Sequence, residues 1–130
     1  MSREIKFRAW DGEIIVPSDY NEDHFIFTFR EGVPALLEYY ENDRTGESGY
    51  MRVHAEFMQY TGLKDKNGVE IYEGDIIREW DQVMPPVIWS NKYCSFQFQA
   101  TGNEITCNLY LPQAFQVIGN IHENPELMEK

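Results

Sequence analysis

The sequence predicts a mostly β fold, antiparallel and with little helix, and three observations carry that reading. Aromatic residues make up 15% of the chain, and many of them alternate with polar residues, the period of a half-buried strand. Polar stretches rich in Gly, Asn and Asp separate these runs and supply turn chemistry. No apolar run keeps the 3.6-residue period of a helix over several turns. At 130 residues the chain suffices for one domain, or two small subdomains sharing a core, without metal or disulfide support.

Near the start, Ile5, Phe7 and Ala9 share one face while Lys6 and Arg8 take the other. Phe25, Phe27 and Phe29 repeat that spacing, as do Met51, Val53, Ala55 and Phe57 opposite Arg52, His54 and Glu56. Each set reads as a strand. Residues 34–41, Pro-Ala-Leu-Leu-Glu-Tyr-Tyr-Glu, fit either a short helix opened by proline or a strand, and the pattern leaves both open. The polar stretch from Glu41 to Gly49 reads as a loop.

Asp65-Lys66-Asn67-Gly68 and Glu73-Gly74-Asp75 read as two turns, each followed by a strand, the second leading into Ile76-Ile77. Asp81 to Pro86 reads as a loop because its two closing prolines cannot donate to a ladder, and Val87-Ile88-Trp89 resumes a strand. A two-residue turn at Gly102-Asn103 pairs positions that sum to 205. That register sets Cys94, Phe96, Phe98 and Ala100 opposite Leu111, Leu109, Cys107 and Ile105 on one apolar face, with Gln97 on the polar face. Phe115 and Val117 begin the last strand, and Asn124-Pro125-Glu126 predicts an N-cap and one short helical turn.

Composition narrows function more than it names it. Eleven basic residues face 22 acidic ones, a net charge of −11, spread evenly at 6 against 12 in residues 1–60 and 5 against 10 in residues 61–130. Such a surface repels a phosphate backbone and suits a basic protein surface. No apolar run approaches the roughly 20 residues of a membrane helix, and residues 1–4 lack the apolar segment of a signal peptide, so a cytoplasmic protein is expected. Cys94 and Cys107 lack C-x-x-C spacing and read as reduced.

Three blocks then carry a resemblance. Arg3-Glu4-Ile5-Lys6-Phe7-Arg8-Ala9-Trp10-Asp11 opens the chain, residues 58–77 read MQYTGLKDKNGVEIYEGDII, and residues 117–127 read VIGNIHENPEL. Together they cover 40 of 130 residues and resemble the YopX-like family of bacteriophage and prophage proteins. The resemblance implies an N-terminal irregular antiparallel sheet (residues 1–57) packed on a C-terminal SH3-like small barrel (residues 58–130) with a short terminal helical turn. It implies an origin in a phage or prophage of a bacterial host and brings no catalytic residues.

The candidate constellations each have a plainer reading. Glu70, Glu73, Asp75, Glu79 and Asp81 crowd into twelve positions, enough for acid–base or Mg²⁺ chemistry, yet Glu73 and Asp75 flank a turn glycine. Asp65-x-Asn67-Gly68 opens like a calcium loop but lacks the remaining ligands, which favours a hairpin turn. His24, His54 and His122 are too far apart in sequence for a metal motif. No cofactor or metal is expected. Among the aromatics, Trp10 and Trp89 read as core, while Trp80, between Glu79 and Asp81, reads as a binding residue. Tyr72, Trp80 and Asp81 are therefore the candidate site. The residues favour a non-enzymatic, acidic protein-binding module that contacts a host or phage protein. Nucleic-acid binding through a small barrel is the alternative, and a carboxylate-dependent hydrolase around Asp75 ranks third.

Overall fold

The computed structural model describes residues 5–19, 25–92, 94–98 and 114–128. Strands dominate, and the fold class is mostly β with little helix among the described residues. The chain divides into two compact units, Lys6–Phe57 and a second built mainly from Met58–Lys130.

In the first unit β1 (Phe7–Trp10) and β2 (Ile15–Pro17) form a hairpin with Ala9 opposite Val16. Its turn closes on Asp11, whose Oδ1 accepts from the N–H of Glu13 at 2.8 Å and of Ile14 at 2.9 Å, the local side-chain-to-backbone bond that suits Asp to turns. The strands β3 (Phe25–Arg30), β4 (Val33–Glu41) and β5 (Ser48–Val53) form a three-stranded antiparallel sheet in that order. Residues 34–41 are thus strand, and the reason is tertiary: β4 is the central strand, paired along Leu36–Glu41 by β5 and along Val33–Glu38 by β3. Pro34 lies outside the stretch that β5 pairs, so its missing N–H removes no bond on that side.

Ala9, Val16 and Leu36 are fully buried and Phe25 nearly so, with Phe27, Ala55 and Phe57 packed against them. The rings meet edge to face, Phe27 with Phe57 at 5.7 Å and Phe7 with Phe29 at 5.5 Å, the arrangement that ring quadrupoles favour. One expectation changes here. Met51 to Phe57 is not one strand, because β5 ends at Val53 and β6 (Glu56–Lys64) begins after a break at His54-Ala55. Met51, opposite Glu38 on an edge strand, is exposed.

In the second unit β6 pairs with β7 (Glu70–Tyr72), and β8 (Asp75–Glu79) lies between β9 (Gln82–Val83) and β12 (Phe115–Asn120). A further hairpin joins β10 (Val87–Ser90) to β11 (Ser95–Phe98), with Val87 opposite Phe98 and Trp89 opposite Phe96. Ile71, Ile77, Val87, Phe96, Phe98 and Phe115 form the core. Ile76 and Ile77 are both fully buried, so β8 is covered on its two faces.

Four local readings change. Gln82–Val83 is strand rather than loop: the ladder opposite β8 runs to Met84, whose N–H donates to the Ile77 carbonyl at 2.8 Å, and the prolines follow only after it ends. Cys94 lies exposed in the β10–β11 turn at φ +51°, not on an apolar strand face. Gln97 is buried beside Phe96 and Phe98, because β11 is covered on both faces. Trp89, expected in the core, is 40% exposed. The turn at Gly102-Asn103, its register, and any closure into an SH3-like barrel through that hairpin lie outside the described residues, as do His24 and Cys107.

At the C-terminus the expected helical turn is a 3-10 helix over Pro125–Met128. The Asn124 side chain does not cap it. Its Oδ1 accepts from the Asn120 N–H at 3.2 Å, while its carbonyl accepts from Leu127 N–H at 3.1 Å. This backward bond explains Gly119, where an added Cβ would stand 2.5 Å from Asn124 Oδ1 and 3.0 Å from its Cβ. Gly119→Ala is expected to cost about 1–3 kcal/mol by overpacking, measured by urea unfolding. In an Asn124→Ala background most of that cost should vanish, and an undiminished cost there would assign it to something other than this contact.

Candidate functional site

The acidic residues of the middle segment divide by what their oxygens touch. Asp65 is only 6% exposed and begins a turn in which Gly68, at φ +82°, donates to the Asp65 carbonyl at 3.0 Å and the Asp65 N–H donates to Val69 at 2.8 Å. This is a type I turn closed by a left-handed glycine. The carboxylate is fully used: Oδ1 accepts from the N–H of Asn67 at 2.8 Å and of Val69 at 2.9 Å, and Oδ2 from Val117 N–H at 2.9 Å. Lys66 N–H also reaches the Phe115 carbonyl at 3.0 Å. One side chain therefore ties the β6–β7 turn to β12, and the resemblance to a calcium loop reduces to a hairpin turn.

Asp75 is 1% exposed, and its Oδ2 accepts from Tyr72 N–H at 2.8 Å across the Glu73-Gly74 turn. Glu73 Oε1 accepts from Gln59 N–H at 2.9 Å, while Glu73 N–H returns a bond to the Gln59 carbonyl. Gly74 has φ +84°, the left-handed conformation that only glycine enters without steric cost. These carboxylates organise a turn. A catalytic carboxylate must reach its substrate, and the Asp75 side chain is enclosed by the unit that holds it. Among the described residues no three His, Cys, Asp or Glu side chains gather into a group able to hold a metal ion, and no helix is long and apolar enough to cross a membrane.

Burial separates the three candidate binding residues. Tyr72 is 7% exposed, its ring lying 5.5 Å from that of Tyr60 and its hydroxyl 3.5 Å from Glu70 Oε1. It belongs to the core and offers no docking face. Trp80 is 77% exposed and Asp81 is exposed beside it. The two form the whole loop between β8 and β9, since Glu79 pairs with Gln82. Two-residue hairpin loops require a positive φ at the first loop position, normally met by Gly, Asn or Asp. Here Trp80 meets it, at φ +55°. A bulky residue in that conformation costs on the order of 1–2 kcal/mol, and its ring recovers little of this by burial. The sequence picked out Trp80 by its acidic neighbours and could not show this strain, which follows from the length of the ladder on either side.

Of the other tryptophans, Trp89 donates from Nε1 to Asn91 Oδ1 at 3.1 Å and meets Phe96 edge-on at 5.0 Å, so its ring is held by its own hairpin. Trp10 is half-buried on β1.

Comparison with known proteins adds the family. No curated protein matches the chain. Among solved structures, the crystal structure of protein EF1440 from Enterococcus faecalis is similar at 28% sequence identity and a TM-score of 0.61, covering 98% of this chain and 100% of that one. Residues 6–129 match the YopX protein family, a span that reaches into both compact units and includes the Trp80 turn, and the chain belongs to that family.

Proposed function

We propose that this YopX-family protein is a non-enzymatic protein-binding module, an accessory protein of a phage or prophage acting in the bacterial cytoplasm, whose β8–β9 turn presents Trp80 and Asp81 to a basic partner. The observation that carries the reading is Trp80 itself, 77% exposed at φ +55°. Strained backbone of this kind clusters at functional sites, and tryptophan is among the residues enriched at binding hot spots. The net charge of −11 steers a basic surface toward the molecule and repels nucleic acid.

Trp80→Gly separates function from folding. Glycine accepts the left-handed conformation without strain, so about 1 kcal/mol of relief should raise the melting temperature by roughly 4–8 °C for a unit of this size. Capture of basic proteins from nuclease-treated bacterial lysate, quantified by mass spectrometry against wild type, should fall at the same time. Undiminished capture by the stabilised variant rejects the proposal. A lower melting temperature would instead show that the indole packs as part of the fold.

A further inference from the structure

The first unit carries a solvent-open cavity of about 380 Å³ whose described lining is Arg52, Val53, His54, Ala55 and Phe57. Its lining follows from the break between β5 and β6. Along a continuous strand Arg52 and His54 would share one face and Val53, Ala55 and Phe57 the other. Because the ladder stops at Val53 and β6 begins at Glu56, the chain at His54-Ala55 is free of strand geometry and both sets line one space. The floor is the rim of the core: Ala55 and Phe57 pack against it, and the Phe57 ring meets Phe27 at 5.7 Å and 89°.

The polar side of this space is built by Arg52 and His54. In a chain with twice as many acidic as basic residues, the described residues of this lining include a guanidinium and an imidazole and no carboxylate. Among the described residues neither group has a hydrogen-bond or ion-pair partner, whereas Arg78 donates to Gln116 Oε1 at 2.7 Å. A guanidinium matches a carboxylate with two parallel N–H bonds, and a phenyl edge receives another ring at low cost.

We propose that this cavity binds a carboxylate attached to an aromatic group, with Arg52 and His54 holding the carboxylate and Val53, Ala55 and Phe57 receiving the ring. Two sources share that chemistry, a free small acid and the C-terminus of a chain ending in phenylalanine. The test is a titration of ¹⁵N-labelled protein, followed by amide chemical shifts, with 3-phenylpropionate, 3-phenylpropanol, and an acetylated Gly-Gly-Phe peptide bearing either a free carboxylate or an amide. Saturable shifts at residues 52–57 with 3-phenylpropionate, and binding at least about tenfold weaker for the alcohol and for Arg52→Gln, are expected from loss of one charge-assisted pair. Tighter binding of the peptide carboxylate than of 3-phenylpropionate assigns the site to a chain terminus, and equal or weaker binding assigns it to a small acid. Arg52 is exposed on an edge strand, so its variant keeps the fold, which the undisturbed spectrum verifies. Shifts that fail to saturate by about 10 mM, or equal affinity for acid and alcohol, overturn the proposal. So does unchanged binding by Arg52→Gln.

Discussion

Replacing Asp65 by alanine is expected to destabilise the protein by about 2–4 kcal/mol, because three partly buried backbone N–H groups lose a charged acceptor at once. The donors are those of Asn67, Val69 and Val117, so the loss loosens the β6–β7 turn and its attachment to β12 together. Urea unfolding gives the magnitude, and a cost under about 1 kcal/mol, the level of an ordinary exposed turn residue, would mean that the carboxylate is not the tie described. The same site predicts a pH dependence. Burial alone pushes the Asp65 carboxyl up, but the N–H groups of Val117, Val69 and Asn67, with the charge of Lys66, outweigh it and hold the group below its ordinary value of 3.8. A carboxyl lowered in the folded state gives stability that is fully present above the unfolded value. That stability is lost as pH falls through the unfolded value toward the folded one, since the unfolded chain takes up the proton first. The stability gap between wild type and Asp65→Asn should therefore stay constant at neutral pH and narrow below about pH 4. Parallel pH profiles for the two proteins would remove Asp65 from the acid limb.

Phe98→Ala should cost a similar amount, about 3–5 kcal/mol, through lost burial and the cavity it leaves. Phe98 is 3% exposed, faces Val87 across the β10–β11 hairpin and meets Phe115 edge-on at 5.4 Å, so its removal opens the core where two strands distant in sequence converge. The neighbouring position gives the contrast. Alternation places Gln97 on a solvated face, where alanine would cost almost nothing, yet the side chain is buried and its Nε2 donates to Ser95 Oγ at 3.1 Å. Gln97→Ala is expected to cost about 1–2 kcal/mol. Denaturation of the two variants in parallel orders them, and a Gln97 cost near zero would restore the solvated face.

Local chemistry was legible where neighbours in sequence are also neighbours in space. Asp65 to Gly68 and Glu73 to Asp75 announce turns because Asp, Asn and Gly satisfy a turn's backbone without outside help. Alternation in 25–29 announces a strand for the same reason. The candidate site was legible only in part. The acidic flanks of Trp80 mark it in the sequence, but nothing in the sequence shows that the Tyr72 ring lies against Tyr60, a pairing set by the β6–β7 register.

What the sequence determined by itself was the β class, the acidic composition and the turns at residues 65–68 and 73–75, all products of composition or of interactions within a few residues. The tertiary structure alone decided that residues 34–41 are a central strand, that Gln97 is buried, that Asp65 reaches Val117 across 52 positions, and that Trp80 stands strained and exposed. The physical reason is common to all four: each depends on what the opposite strand or the far face supplies, and burial and hydrogen-bond partners are properties of the assembled sheet that no single segment encodes.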